Sequence, residues 1–172
     1  MDSVLRKKIF IDSSLFLGMN SVIENVRRQS AGFIANRFGQ TIYMSLEQVG
    51  YCDDIIWHFP RALRDQYYPF MDRVHTEMDI KRIPYTFNDI KSVLAHKELC
   101  SLALPRALVA AQVLNHDGLL YTHDNELLSL EVLGNNIGRF DTTGAVEFEP
   151  PLNRYYKMSQ VVKIDLGNLS YA

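Results

Sequence analysis

The sequence predicts a single α/β domain over residues 1–172, a three-layer α/β/α sandwich with a central, mainly parallel sheet, and three observations predict it. Short apolar runs alternate with helix-length amphipathic segments, as strand–helix–strand connections require. Two of the runs, Lys8-Ile9-Phe10-Ile11-Asp12 and Leu119-Leu120-Tyr121-Thr122-His123-Asp124, read as strands buried on both faces. Each ends on an acid, at the edge of an open α/β sheet where ligands bind. The length of 172 residues and a hydrophobic content of 47% suit one full core and no second domain.

Taken in order, residues 8–11 form the first strand. Residues 15–36 form a helix with Val22, Ile23, Val26 and Phe33 on one side and Glu24, Arg27 and Arg28 on the other. Residues 41–44 make a short second strand, and Ser45 caps a helix that runs to about Phe59, where Pro60 stops it. Between residues 60 and 90 the composition turns aromatic and mixed in charge, with Pro69 and Pro84 as punctuation, which predicts a helical pair inserted before the next core element. Residues 88–100 continue as an amphipathic helix. Pro105 suits the first turn of a helix over 105–115, Gly118 marks the turn after it, and residues 119–122 are the third strand. The remainder, 134–172, reads as an extension: loop to Gly144, then closing strands over 145–148 and 160–166.

A net charge of −2 and a pI near 6.2 give no global reason to bind nucleic acid, so such binding must rest on a local basic patch. Cys52 and Cys100 form neither a zinc pattern nor a disulfide framework and read as buried thiols in a reducing compartment. The apolar stretch after Lys7 and Lys8 breaks at Asp12, too short for a signal peptide or a membrane span, which predicts a cytoplasmic protein with no membrane contact.

A lone strand ending in Asp is most often a turn or a helix cap. Two, each with a hydroxyl neighbour (Ser13 and Thr122), suggest a shared cation. The helix after the second strand offers a further acid. At 100° per residue, Val49, Cys52, Ile56 and Phe59 share one face and Glu47, Tyr51, Asp54 and His58 the opposite one. On an isolated helix that second face is usually just solvated; only the strand-end acids give it weight.

The order of these features resembles the PIN-domain family of metal-dependent nucleases. The features are an Asp after the first strand, an acidic helix after a short second strand, the helix Ala107-Leu108-Val109-Ala110-Ala111, and a strand ending Thr122-His123-Asp124. The resemblance covers residues 8 to 130. It implies Mg²⁺ or Mn²⁺ held by clustered carboxylates, cleavage of single-stranded RNA, a toxin–antitoxin or defence setting with an antitoxin or other protein partner, and a homodimer. Asp12 and Asp124 match family acids, and Glu47 is the choice for the helix acid, with Asp54 or Asp53 in competition. Ser13 and Thr122 would orient the carboxylates.

One position departs. The family carries an Asp directly before the Ala-rich stretch, where this chain has Arg106. Arg106 either contacts substrate phosphate from the first turn of its helix or stands in for the metal against Asp12 and Asp124, in which case no ion binds; a shifted alignment is the third alternative. His123, next to Asp124 on an extended chain, points away from it and reads as a turn residue.

In the insert, Arg61, Arg64, Tyr67, Tyr68 and Arg73 interleave cations with aromatics, a composition that grips single strands. An inward-packed helical pair accounts for them equally well. The expected function is a metal-dependent endoribonuclease. The alternative is a catalytically degenerate PIN-like module that binds RNA or a protein partner. A haloacid-type phosphatase ranks third, because it wants an acid where this chain has Ser14.

Overall fold

The computed structural model describes residues 7–141 and 147–168. Four parallel strands, β1 (Ile9–Ile11), β2 (Thr41–Ser45), β3 (Asp79–Ile83) and β4 (Leu119–Tyr121), lie in the order β3-β2-β1-β4. Helices cover both faces, so the chain is a three-layer α/β/α fold, with every strand pairing among the described residues parallel.

The strands are short because each spans only the width of the core, and the period of two divides their side chains between two cores. Ile11, Ile42 and Met44 join α1 (Ser13–Gly18), α2 (Glu24–Ala35), α3 (Leu46–Trp57) and α4 (Arg61–Glu77) on one face. Phe10 and Leu120 join α5 (Phe87–Ala95), α6 (Lys97–Cys100), α7 (Leu104–Asn115) and α8 (Asn125–Leu128) on the other. Strand order reverses between β1 and β4, which makes the crevice beyond their C-terminal ends the switch point of the sheet. The register pairs Ile11 with Tyr121, so the next residues, Asp12 and Thr122, face each other at that point.

Several boundaries differ from those the sequence predicts. The predicted helix 15–36 is two helices, because the chain turns at Asn20 and Ser21 to meet the C-terminal segment: Ile164 N donates to Asn20 O and Val22 N to Ile164 O. The insert of residues 60–90 is not a helical pair. It is one helix, α4, followed by β3, whose side chains Asp79, Lys81 and Arg82 suit an exposed sheet edge. Helix 88–100 breaks at His96 into α5 and α6.

The closing strand predicted over 160–166 reduces to a single bridge between Ile164 and Ser21, because among the described residues no strand lies beside it to extend the pairing. Residues 147 and 148 are not in a strand, while 145 and 146 and the end of the loop predicted to Gly144 lie outside the described residues. What the C-terminal segment does contribute is α9 (Leu152–Ser159), packed on α4: the Phe70 ring lies 5.3 Å from Phe148 and 5.1 Å from Tyr156. Cys52 is buried as read, but Cys100 is exposed.

Asp117, at φ 45°, takes the left-handed turn after α7, and Gly118 follows it. Gly118 matters for closeness: a Cβ there would lie 2.5 Å from the Phe10 ring and 3.1 Å from Lys8 O. Gly118→Ala is therefore expected to force β1 from β4 and destabilise the fold by about 2 kcal/mol, measured by urea unfolding. A substitution without cost would mean that the two strands tolerate a wider separation.

Candidate functional site

The crevice beyond β1 and β4 is a cleft of about 470 Å³. Its polar wall carries Ser13, Ser14, Tyr51, Arg106, Asp124 and Glu126. Ile23, Val26, Leu128 and Leu166 line its apolar part, and Ile23 and Leu128 remain exposed at its mouth. Asp12 lies beneath it, fully buried.

Asp12 is held by a hydroxyl web that ties the two strand ends together. Its Oδ1 accepts from Ser14 Oγ at 2.7 Å and from Leu15 N at 3.2 Å, and its Oδ2 accepts from Thr122 Oγ1 at 2.5 Å. Asp12 is thus the N-cap of α1 and a cross-link to β4 at once. The hydroxyls pass the network on: Thr122 Oγ1 accepts from Asp124 N at 2.9 Å, and Ser14 Oγ accepts from His123 N at 2.8 Å. Burial pushes the Asp12 carboxyl up to about 6, against the hydrogen bonds from Thr122, Ser14 and Leu15, which lower it. Thr122, one of the two hydroxyl residues the sequence singles out, donates to the Asp12 carboxylate. From the serine pair, Ser14 rather than Ser13 donates to it.

Asp124 caps α8, its Oδ1 accepting from Glu126 N at 2.9 Å and Leu127 N at 3.2 Å. Its other oxygen belongs to Arg106, whose Nε donates at 2.6 Å. The pair is largely covered, with side chains 16% and 8% exposed. The same guanidinium reaches toward Glu126, with Nη1 3.4 Å from Oε1. Arg106 thus bridges two carboxylates in the cleft, one closely and one at the limit of an ion pair.

Helix α3 delivers something other than an acid. Glu47, Asp53 and Asp54 are exposed and none lines the cleft. The α3 residue that reaches the end of β1 is Gln48, fully buried, whose Oε1 accepts from Ser13 N at 2.9 Å. The residue α3 presents to the cleft itself is Tyr51, whose hydroxyl burial pushes up. Among the described residues no group of three or more His, Cys, Asp or Glu side chains converges to hold a metal ion. With both Asp12 oxygens engaged, Asp124 shared between a cation and two N–H groups, and a neutral amide at the helix position, the residues present do not fit Mg²⁺ or Mn²⁺.

His123 is not a free turn residue. Its Nε2 lies 2.8 Å from Ser30 Oγ and its ring stacks on Phe140 at 4.6 Å, and burial holds it down to about 4. The basic-aromatic set on α4 also packs differently from a nucleic-acid grip. Tyr67 is buried, Tyr68 half-buried against it, and Arg64 lies 4.0 Å over the Trp57 ring. Arg61 pairs with Asp65, and Arg73 pairs with Glu77 and lies over Tyr155. Of the aromatics on this helix, Phe70 packs on Phe148 and Tyr156, while Tyr67 and Tyr68 pack on each other.

Sequence reasoning missed Gln48, Tyr51, Ile23, Glu126 and Leu166. The one available signal was Gln48, polar yet on the apolar side of the α3 wheel beside Cys52; the others come together only through the fold. Among the described residues, no helix is long and apolar enough to cross a membrane. A comparison with curated proteins returns no match. The chain belongs to the family of unknown function DUF6190, whose profile matches residues 4–169.

Proposed function

We propose that this chain is a PIN-like module that does not hydrolyse RNA and acts by binding a protein partner at the cleft between β1 and β4. One observation carries the reading: Arg106 Nε sits 2.6 Å from Asp124 Oδ2, a largely covered, charge-assisted contact at the position the resemblance gives to a metal. The cleft's surface supports binding by protein rather than by nucleic acid. Its charged wall holds Asp124 and Glu126 around a single guanidinium, which repels phosphate, while Ile23 and Leu128 put apolar area at the mouth.

A second reading, a Mg²⁺- or Mn²⁺-dependent endoribonuclease, is favoured by the way Thr122 brings Asp12 and Asp124 to one edge. It requires Arg106 to leave Asp124 and take substrate phosphate. Two measurements separate them. Purified protein with Mn²⁺ and labelled single-stranded RNA should leave the RNA intact and unbound; Mn²⁺-dependent cleavage lost in Asp12→Asn would establish the nuclease instead. A photo-crosslinking side chain placed at position 23, then at 128, should give one and the same discrete protein adduct in the host cell, absent when the crosslinker stands at the remote Lys91. Adducts at neither site, or adducts to RNA, would overturn the partner reading.

A further inference from the structure

Helix α3 walls two clefts. Tyr51 faces the one described above, while Val49, Cys52 and Asp53 line a second, of about 380 Å³, shared with α4 and β3. This is within the size range of small-molecule sites. Its floor is apolar, built from the buried Phe16, Met44 and Met71.

The walls carry charge of both signs. Asp53 on α3 and Asp72 on α4 supply two exposed carboxylates. Arg82 on β3 donates from Nη2 to His75 Nδ1 at 2.8 Å and has no acid partner among the described residues. Because Arg only donates, His75 Nδ1 is the acceptor and its proton is on Nε2. Burial, and after it the Arg82 charge, push His75 down, against Asp53 and Asp72, which raise it. Tyr67 lines the same cleft. The residue is 2% exposed, and its hydroxyl makes no hydrogen bond among the described residues, which leaves it available to a bound ligand.

We propose that this cleft binds a zwitterionic small molecule of the amino-acid class. The ammonium group faces Asp53 and Asp72, the carboxylate faces Arg82, and an apolar or aromatic side chain lies on the Phe16, Met44 and Met71 floor. A simple cation would meet Arg82 unanswered, and a simple anion would meet two carboxylates; only a ligand with both charges and an apolar body satisfies the whole lining. The Tyr67 hydroxyl then gains the partner it lacks.

The proposal makes no use of the first cleft, and its test is calorimetric titration of the full chain. L-Methionine, L-leucine and L-phenylalanine are compared with phenylalaninamide, which lacks the carboxylate, N-acetylphenylalanine, which lacks the ammonium group, and glycine, which lacks the side chain. At least one of the three apolar amino acids is expected to bind, with the modified and truncated compounds weaker by about tenfold or more. Arg82→Gln and Asp53→Asn, both at exposed positions where folding is insensitive, are each expected to weaken binding by about tenfold, and Tyr67→Phe by less. No binding by any of the three amino acids at millimolar concentration, equal binding of the amide or the N-acetyl compound, or affinity unchanged in Arg82→Gln would each overturn the proposal.

Discussion

Arg106→Asp is expected to turn a chain indifferent to divalent ions into one stabilised by them. In the wild type the guanidinium ties Asp124 and Glu126 together. Replacing it with an acid removes that cation, frees Asp124 Oδ2 and Glu126 Oε1, and leaves three carboxylates at the floor of one cleft. Without metal the variant should be less stable than wild type by about 3 kcal/mol, because a largely buried carboxylate loses its partner and gains a like charge. Millimolar Mn²⁺ should then restore stability by mass action. A hundredfold excess over Kd contributes about 2.7 kcal/mol, or a Tm rise of roughly 5–10 °C for a domain of this size. Arg106→Ala should show the loss without the rescue. A wild type whose Tm already rises with Mn²⁺, or an Arg106→Asp variant that ignores it, would count against Arg106 as the occupant of the metal position.

Acid titration should expose two groups, the buried Asp12 and the part-buried His123, that oppose each other across the same edge of the sheet. Asp12 titrates at about 6 in the folded protein against an ordinary value of 3.8. As pH falls through 6 the folded state takes up a proton before the unfolded chain does, so acidification stabilises, and the gain is complete below about 4. His123 is held down to about 4 from 6.5. As pH falls through 6.5 the unfolded chain protonates first, so acidification destabilises, and the loss runs on to about 4. Each is worth up to about 3 kcal/mol, and in the wild type they largely cancel. Asp12→Asn removes the stabilising half, so from pH 7 to pH 4 it should lose up to about 3 kcal/mol more than wild type. His123→Gln, which keeps a donor for Ser30, should change in the opposite direction. Urea unfolding at both pH values measures the differences, and three parallel profiles would show that neither group is buried as described.

The core strands were legible in the sequence because they are apolar on both faces, and Asp12 and Asp124 because an acid interrupts each run at its end. Strand β3 was not. At a sheet edge Asp79, Lys81 and Arg82 replace the apolar residues that mark a strand, and only Ile80 and Ile83 remain of the pattern. Val162 and Ile164 alternate and are both buried, yet the strand predicted over 160–166 is reduced, among the described residues, to the one bridge between Ile164 and Ser21. Burial has a period; a hydrogen-bonding partner leaves no trace in the residue order. The helix acids illustrate a finer limit. Glu47 and Gln48 are neighbours, and a turn of 100° decides that the amide enters the sheet edge while the acid faces solvent. No local pattern sets that rotation, because it follows from how Cys52 and Ile56 seat the helix on the core.

The position of Arg106 in the presence of a divalent ion is the most direct test. Crystals of the wild-type chain soaked in Mn²⁺, with anomalous scattering used to locate the ion, are predicted to show Arg106 Nε still on Asp124 Oδ2 and no manganese between Asp12, Asp124 and Glu126. Manganese bound to Asp124, with Arg106 displaced toward the mouth of the cleft, would contradict it and return the chain to the metal-dependent nucleases.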